Sequence, residues 1–318
     1  MRIRLSVIVM IVAVVCVSSA RAQFKEGDPG GAKLGEARVQ QIRSGVIVRA
    51  VGGDCRGIVG YTVVPIEWPE QEVEIVEEEI SPEAKVDYVQ VDDGAKMMVV
   101  RIPHLRSGVE AKALVTFEIR RSTILPPEEE EIDGYVLPDL KKLDRKVRVY
   151  LGTSPKIEST DRKIRELARE IGVDEKLAWH RVEAIYDWVR ENVEYKNGPL
   201  KGAVAALKDG WGDCEELTSL FIAICRASSI PARTVWVEGH CYPEFYLEDK
   251  QGNGHWFPCQ AAGSRAFGGI PETRPVLSKG DNFRPPYNRR KNQRYPADNL
   301  TGTGGRPQVR FVREKTGG

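Results

Sequence analysis

Apolar and polar positions change period twice along this chain. From Val46 to about Arg121 the apolar residues come in short β-branched runs: Val46-Ile47-Val48, Ile58 to Val64, Met97 to Ile102 and Ala113 to Ile119. Clusters of Gly, Pro and Asp separate them, and that spacing predicts a β-sandwich over residues 41–125. Beyond about Pro155 the period becomes helical. Ile164, Leu167, Ala168 and Ile171 follow the i, i+3, i+4, i+7 rule, and Gly172 stops the run. Ala178, Val182, Ile185, Tyr186, Val189 and Val193 mark a second helix. Leu217, Leu220, Phe221 and Ile224 form the buried stripe of a third that starts at Cys214. The period then returns to two. Thr234–Val237 and Glu244–Leu247 read as strands, and His255–Gln260 returns after the turn Gln251-Gly252-Asn253-Gly254.

The pattern gives an α+β chain with two domains in its 318 residues. Pro126-Pro127 followed by Glu128 to Glu131 reads as a solvated linker, residues 126–155. Residues 156–280 are the helix-and-sheet domain. Residues 23–40 are Gly-rich and read as a flexible lead-in. Residues 281–318 are a basic Arg-, Pro- and Gly-rich tail, expected to be extended or partly disordered, with only Val309–Val312 able to pair as an edge strand. Arg2 and Arg4, the apolar core Leu5–Val17 and Ala20-Arg21-Ala22 make residues 1–22 a secretory signal, cut near Ala22. That core is shorter than the ~20 residues a spanning helix needs. The mature protein is therefore expected to be secreted or periplasmic, without a membrane span.

The net charge of +1 divides unevenly: +3 in residues 1–22, +7 from Arg284 onward, and −9 between. An acidic body argues against nucleic acid as a partner and leaves the tail to pack on that body. After export five cysteines remain: Cys55, Cys214, Cys225, Cys241 and Cys259. An odd count in an oxidising compartment leaves one thiol over. No Cys or His spacing suits a metal, and no metal or other cofactor is expected.

Cys214 is the thiol in a chemical position. It opens a helix, where unpaired N–H groups and the helix dipole favour thiolate. Asp213 is placed to cap the helix, with Glu216 three residues on to reach back. The acids Asp213, Glu215 and Glu216 oppose the thiolate. A thiol nucleophile needs a base, and His180, His240 and His255 are the candidates. His180 lies off the apolar stripe of its helix. With the hairpin centred near Lys250, facing residues sum to about 500. His240 then meets Gln260 on one sheet face, and His255 points to the other. The same register sets Cys241 opposite Cys259, close enough for a disulfide. Cys225 is too far along the helix to reach Cys214 and belongs to the core.

These pieces together resemble the transglutaminase-like superfamily, a branch of papain-like thiol enzymes with helices packed on an antiparallel sheet. Asp187-Trp188-Val189, Val193-Glu194-Tyr195, Gly212-Asp213-Cys214, Ile230-Pro231-Ala232-Arg233, His240 to Leu247 and Trp256 to Gln260 carry the likeness. His240 to Glu244 is similar to the family's His-Ala-Trp-Val-Glu segment. The likeness implies a catalytic set of Cys214, His240 and Gln260, acting on protein or peptide amide bonds by hydrolysis or acyl transfer. The family's third member is normally Asp. Gln260 can orient His240 but cannot offset imidazolium with a full charge, which should lower the His240 pKa. A binding or scaffold protein that keeps the fold without turnover is the competing expectation. The backbone N–H of Cys214 is the natural oxyanion donor, and Tyr195, Trp211 and Trp179 are candidates for the second.

Overall fold

The protein was analysed as a computed structural model that describes residues 32–317. The expected signal and the first half of the lead-in lie outside the described residues; the second half is strand from Lys33 onward, not a flexible segment. The apolar runs of the first half build strands β1 (Lys33–Val64), β2 (Gln71–Ile80), β3 (Lys85–Val91), β4 (Ala95–Leu105) and β5 (Glu110–Leu125). Two of the expected runs are halves of one strand. β1 pairs β5 through residues 33–49 and β4 through residues 55–64, so it turns from one layer to the other. The bend falls at Gly52 and Gly53, whose φ of +70° and +136° suits glycine. The two layers close on Val46, Val48, Ile58, Met98, Val100, Ile102, Val115, Phe117 and Ile119, all buried. The rest of the N-terminal half is edge: β2 is Glu-rich, β3 alternates Lys, Asp and Gln with apolar residues, and both are largely solvated, which hid them from the apolar pattern.

Residues 126–155 are less a spacer than a wrap. The short helices α1 (Glu129–Ile132) and α2 (Arg145–Arg148) flank Tyr135. Its buried ring packs edge-on to Phe257 and tilted against Trp179. The second half then supplies α3 (Arg162–Glu170), α4 (Ala178–Asn192), β6 (Glu194–Tyr195), α5 (Ala203–Asp209), β7 (Trp211–Gly212) and α6 (Cys214–Ala227). Strands β8 (Ala232–Val237), β9 (His240–Glu248), β10 (Gly254–Pro258) and β11 (Val276–Lys279) follow. α6 is buried nearly all round from Glu216 to Arg226. It is sandwiched between that sheet and helices α3, α4 and α5, and this fixes Cys214 at one end of a buried rod. The sheet order is β10-β9-β8-β11-β4-β1-β5-β2, so a bridge from Ser278 to Ala95 makes one sheet of both halves.

Two buried charge clusters lock this arrangement. Lys279 Nζ meets Glu70 at 2.7 Å and Glu244 at 2.6 Å, with Arg233 on the other side of Glu244 at 2.9 Å. Glu70 belongs to the first half and Glu244 to the second, so the cluster spans the junction. Arg226, near the end of α6, donates to both Asp281 carboxylate oxygens at 2.8 and 2.9 Å. It also donates to the carbonyls of Ala232 and Gly152. Both Arg226 and Asp281 side chains are fully buried.

The tail departs most from expectation. It takes the extended alternative and not partial disorder, and pairs well beyond Val309–Val312: β12 (Asn299–Gly317) runs antiparallel along β1 from Gln41↔Gly317 to Tyr61↔Asn299. It turns the same corner. A Cβ at Gly304 or Gly305 would lie 2.4 or 2.2 Å from the carbonyls of Asp54 and Gly53, so only glycine lets the strands cross there. A Gly-rich composition, which pointed to disorder, is what a bent strand in contact with another backbone requires.

Candidate active site

The site gathers at the N-terminus of α6. The Asp213 carboxylate accepts from Glu215 N at 2.8 Å, and the Glu216 side chain reaches back to Asp213 N, so the expected capping box is present. Gly212 must be small, because a Cβ there would lie 2.3 Å from Glu216 Cβ. Cys214, half-buried, follows and faces a cleft of about 540 Å³. Trp236, His240, Glu215, Leu277, Arg294 and Tyr295 help to line it.

His240 opens β9 beside the cysteine. Its Nε2 lies 3.0 Å from Gln260 Oε1, which can only accept, so Nε2 carries the proton and Nδ1 is left for the thiol. A hydrogen bond from Cys241 draws the Cys214 thiol down. Burial opposes it, a bond and charge from His240 add to it, and the result is about 4. Burial also pulls the His240 imidazole down. Its bonds to Cys214 and Gln260 and the Cys214 charge outweigh that, and its pKa ends above the ordinary value. The missing carboxylate therefore does not leave an imidazole that ionises below normal.

The three acids interfere with the thiolate less than expected. Glu216 is buried and takes the backbone N–H of Lys201 at 2.8 Å, turned away from the cleft. Glu215 pairs with Arg294 Nη1 at 3.1 Å. Asp213 is held up at about 6 by burial and by Glu216 beside it.

Hairpin register needs a correction. β9 and β10 pair as Glu244↔Pro258, Phe245↔Phe257 and Glu248↔Gly254, so facing numbers sum to 502, not 500. A slip of two keeps parity, so His240 and Gln260 still share a face. The ladder ends at Pro258, however, and Gln260 reaches His240 from the chain beyond it. That stretch is held by α4: Tyr186 OH and Arg190 Nη1 each donate to the Gln260 carbonyl at 2.9 Å. The slip removes the facing of Cys241 and Cys259. All five described cysteines are free thiols. Cys259 sits in the aromatic core, while Cys241 lies against the start of α6.

The remaining candidates separate cleanly. Trp179 is 3% exposed, with Phe245, Phe257 and Phe267 around its ring, so it is a core residue away from the cleft. Tyr195 pairs in register with Gly212, two residues before Cys214, and is 53% exposed. The Trp211 ring lies under Lys201 Nζ, 3.2 Å from its centroid. His255 bonds Asp249 Oδ2 at 3.1 Å, behind the hairpin, and His180 is exposed on α4. Sequence reasoning missed Arg294 and Tyr295, which come from the tail, and the Glu272–Arg274 pair that flanks His240. It also missed the anchors Tyr186 and Arg190. Nothing local marked any of them, since each acts on a segment distant in sequence. Among the described residues no His, Cys, Asp or Glu cluster could hold a metal ion. No helix among them is long and apolar enough to cross a membrane.

Known proteins share the fold that frames this site. Residues 165–261, from α3 to just past Gln260, match the family model described as the transglutaminase-like superfamily. That segment is a transglutaminase-like core, the fold of a thiol-enzyme family. A solved structure from Cytophaga hutchinsonii, provisionally named a cysteine protease, shares 19% identity. The match covers 88% of this chain and 92% of that one, with a TM-score of 0.57, so both halves share its fold. The periplasmic domain of TgpA from Pseudomonas aeruginosa, bound to ethylmercury, is 15% identical over 69% of this chain and 89% of its own, at a TM-score of 0.34. That overlap is too loose to carry an inference. No curated protein matches the chain.

Proposed function

We propose that this protein is an exported thiol enzyme that acts on protein or peptide amide bonds through Cys214, His240 and Gln260. The observation that carries the reading is one cleft holding a depressed thiol and a raised imidazole, the latter fixed by Gln260 at 3.0 Å. Cys214 Sγ attacks the amide carbonyl carbon, and the carbonyl oxygen takes the displaced electron pair near the Cys214 N–H. Tyr195, whose phenol feels the Cys214 charge, and Trp211, three residues before Cys214, are the candidates for the second donor. As the C–N bond breaks, protonated His240 gives its proton to the leaving amine, and a thioester remains on Cys214. Water, deprotonated by His240, then releases the acid, or a primary amine such as lysine takes the acyl group. Export rests on the N-terminal Arg2, Leu5–Val17 and Ala20–Ala22 pattern.

Acid-quenched mixtures with casein, and with a glutamine peptide plus a fluorescent amine, would be examined by intact mass. An acyl adduct on Cys214, absent in Cys214→Ala, is the expected result. The free product tells hydrolysis from transfer. The wild-type thiol should also alkylate with iodoacetamide along a pH profile whose lower midpoint lies near 4. No adduct, together with an ordinary thiol midpoint, would favour the binding-protein reading, to which Gln260 in place of a carboxylate lends support.

A further inference from the structure

Where the His-Ala-Trp-Val-Glu segment carries alanine, this chain has Cys241. The side chain is 1% exposed, on β9 directly after His240. Its sulfur lies 3.6 Å from the Cys214 carbonyl oxygen and 3.8 Å from Thr218 Oγ1, so it rests on the first turn of α6. It is also within hydrogen-bonding reach of the Cys214 sulfur, as is its own backbone N–H. Two thiols in contact cannot both ionise, because like charges in a buried site repel. Cys214 has His240 as its counter-ion and opens to the cleft. Cys241 is wholly buried, and burial and the neighbouring thiolate push its pKa well above the ordinary thiol range. Cys241 therefore keeps its proton when Cys214 first ionises, and of the acceptors its S–H can reach, the Cys214 carbonyl, Thr218 Oγ1 and the Cys214 sulfur, only the sulfur carries a charge.

We infer that Cys241 is a positioning residue whose S–H donates to the Cys214 thiolate, holding the nucleophile ionised and aimed into the cleft. The inference rests on Cys214 being the nucleophile, as proposed above. It also accounts for the tolerance of Gln260. Stabilisation that an aspartate would give on the imidazole side is supplied in part on the thiol side, by a second donor that the alanine-bearing segment lacks. Hydrogen bonds to charged groups are worth more than neutral ones, and an S–H is a weak donor.

The test is site-resolved alkylation of Cys214 by iodoacetamide, followed by mass spectrometry of the Cys214 peptide as pH varies. Wild type would be compared with Cys241→Ala, Cys241→Val and Cys241→Ser. Loss of the donor in Ala and Val should raise the lower midpoint by about one unit. Ser keeps a donor and should hold the wild-type midpoint. Val fills the side-chain volume, so a folding defect in Ala does not remove the test. A low midpoint in wild type that is unchanged in Ala and Val overturns the inference and leaves the nucleophile assignment standing. An equal rise in all three variants also overturns it, because packing rather than donation would then be responsible. A wild-type midpoint in the ordinary thiol range overturns the nucleophile reading itself.

Discussion

His240→Ala is expected to move the lower midpoint of the Cys214 alkylation profile from about 4 toward the free-thiol value of about 8.5. His240 supplies Cys214 with both a hydrogen bond and a positive charge, and the substitution removes the two together. Reading the midpoint matters more than reading a rate at one pH. A thiolate of low pKa is a weaker nucleophile, with a Brønsted slope of about 0.4–0.5 in thiol exchange. Near neutral pH the gain in nucleophilicity nearly cancels the loss of ionised fraction, and the two proteins would look alike. Turnover should fall further than alkylation, by about 10²–10⁴, because the leaving amine loses its acid. The wild-type window follows from the two shifts. It opens above about 4 as Cys214 deprotonates. It closes as pH rises through the His240 pKa, itself above the ordinary imidazole value. An alanine variant with the wild-type midpoint would show that the helix terminus and Cys241 suffice, and His240 would lose its role.

Asp281→Ala should be the most damaging single change away from the cleft, at about 3–5 kcal/mol. The substitution strands the Arg226 guanidinium, fully buried, with carbonyl and hydroxyl partners but no counter-charge. It also deprives Thr234 N and Ser154 Oγ of their acceptor. Four segments meet at this pair: the end of α6, the chain before α3, β8 and the start of the tail. Urea unfolding at neutral pH measures the cost. A loss below about 1 kcal/mol would mean that the carbonyls alone satisfy Arg226.

The sequence was most legible where short-range rules decide the outcome. The capping box at Asp213, the stripe of α6 and the parity of β9 and β10 depend on neighbours a few residues away, and parity tolerates the two-residue slip that removed the Cys241–Cys259 facing. What stayed hidden depends on partners far along the chain. Beyond Val309–Val312, β12 is a strand because β1 offers it an edge, not because its own residues favour one. Tyr135 looked like part of a solvated linker because nothing in Pro126 to Glu131 reveals the aromatic pocket that receives it. Gln260 was found by parity, but its placement comes from Tyr186 and Arg190 on α4. Cys241 was read as half of a disulfide, when its neighbour of consequence is the helix terminus rather than the next strand.

The route of the tail sets the order in which the cleft can be completed. Cys214, His240 and Gln260 leave the ribosome together, within one stretch of chain. Arg294, Tyr295 and Arg313, which close the cleft on its far side, follow much later and reach it only on the way to their place beside β1. β1 itself was made first and must wait, one edge open, for almost the whole sequence to arrive. During synthesis Cys214 is thus present before the tail's share of its cleft, Arg294, Tyr295 and Arg313, has arrived. The cleft is complete only once β12 has zipped along β1, joining the two ends of the described chain.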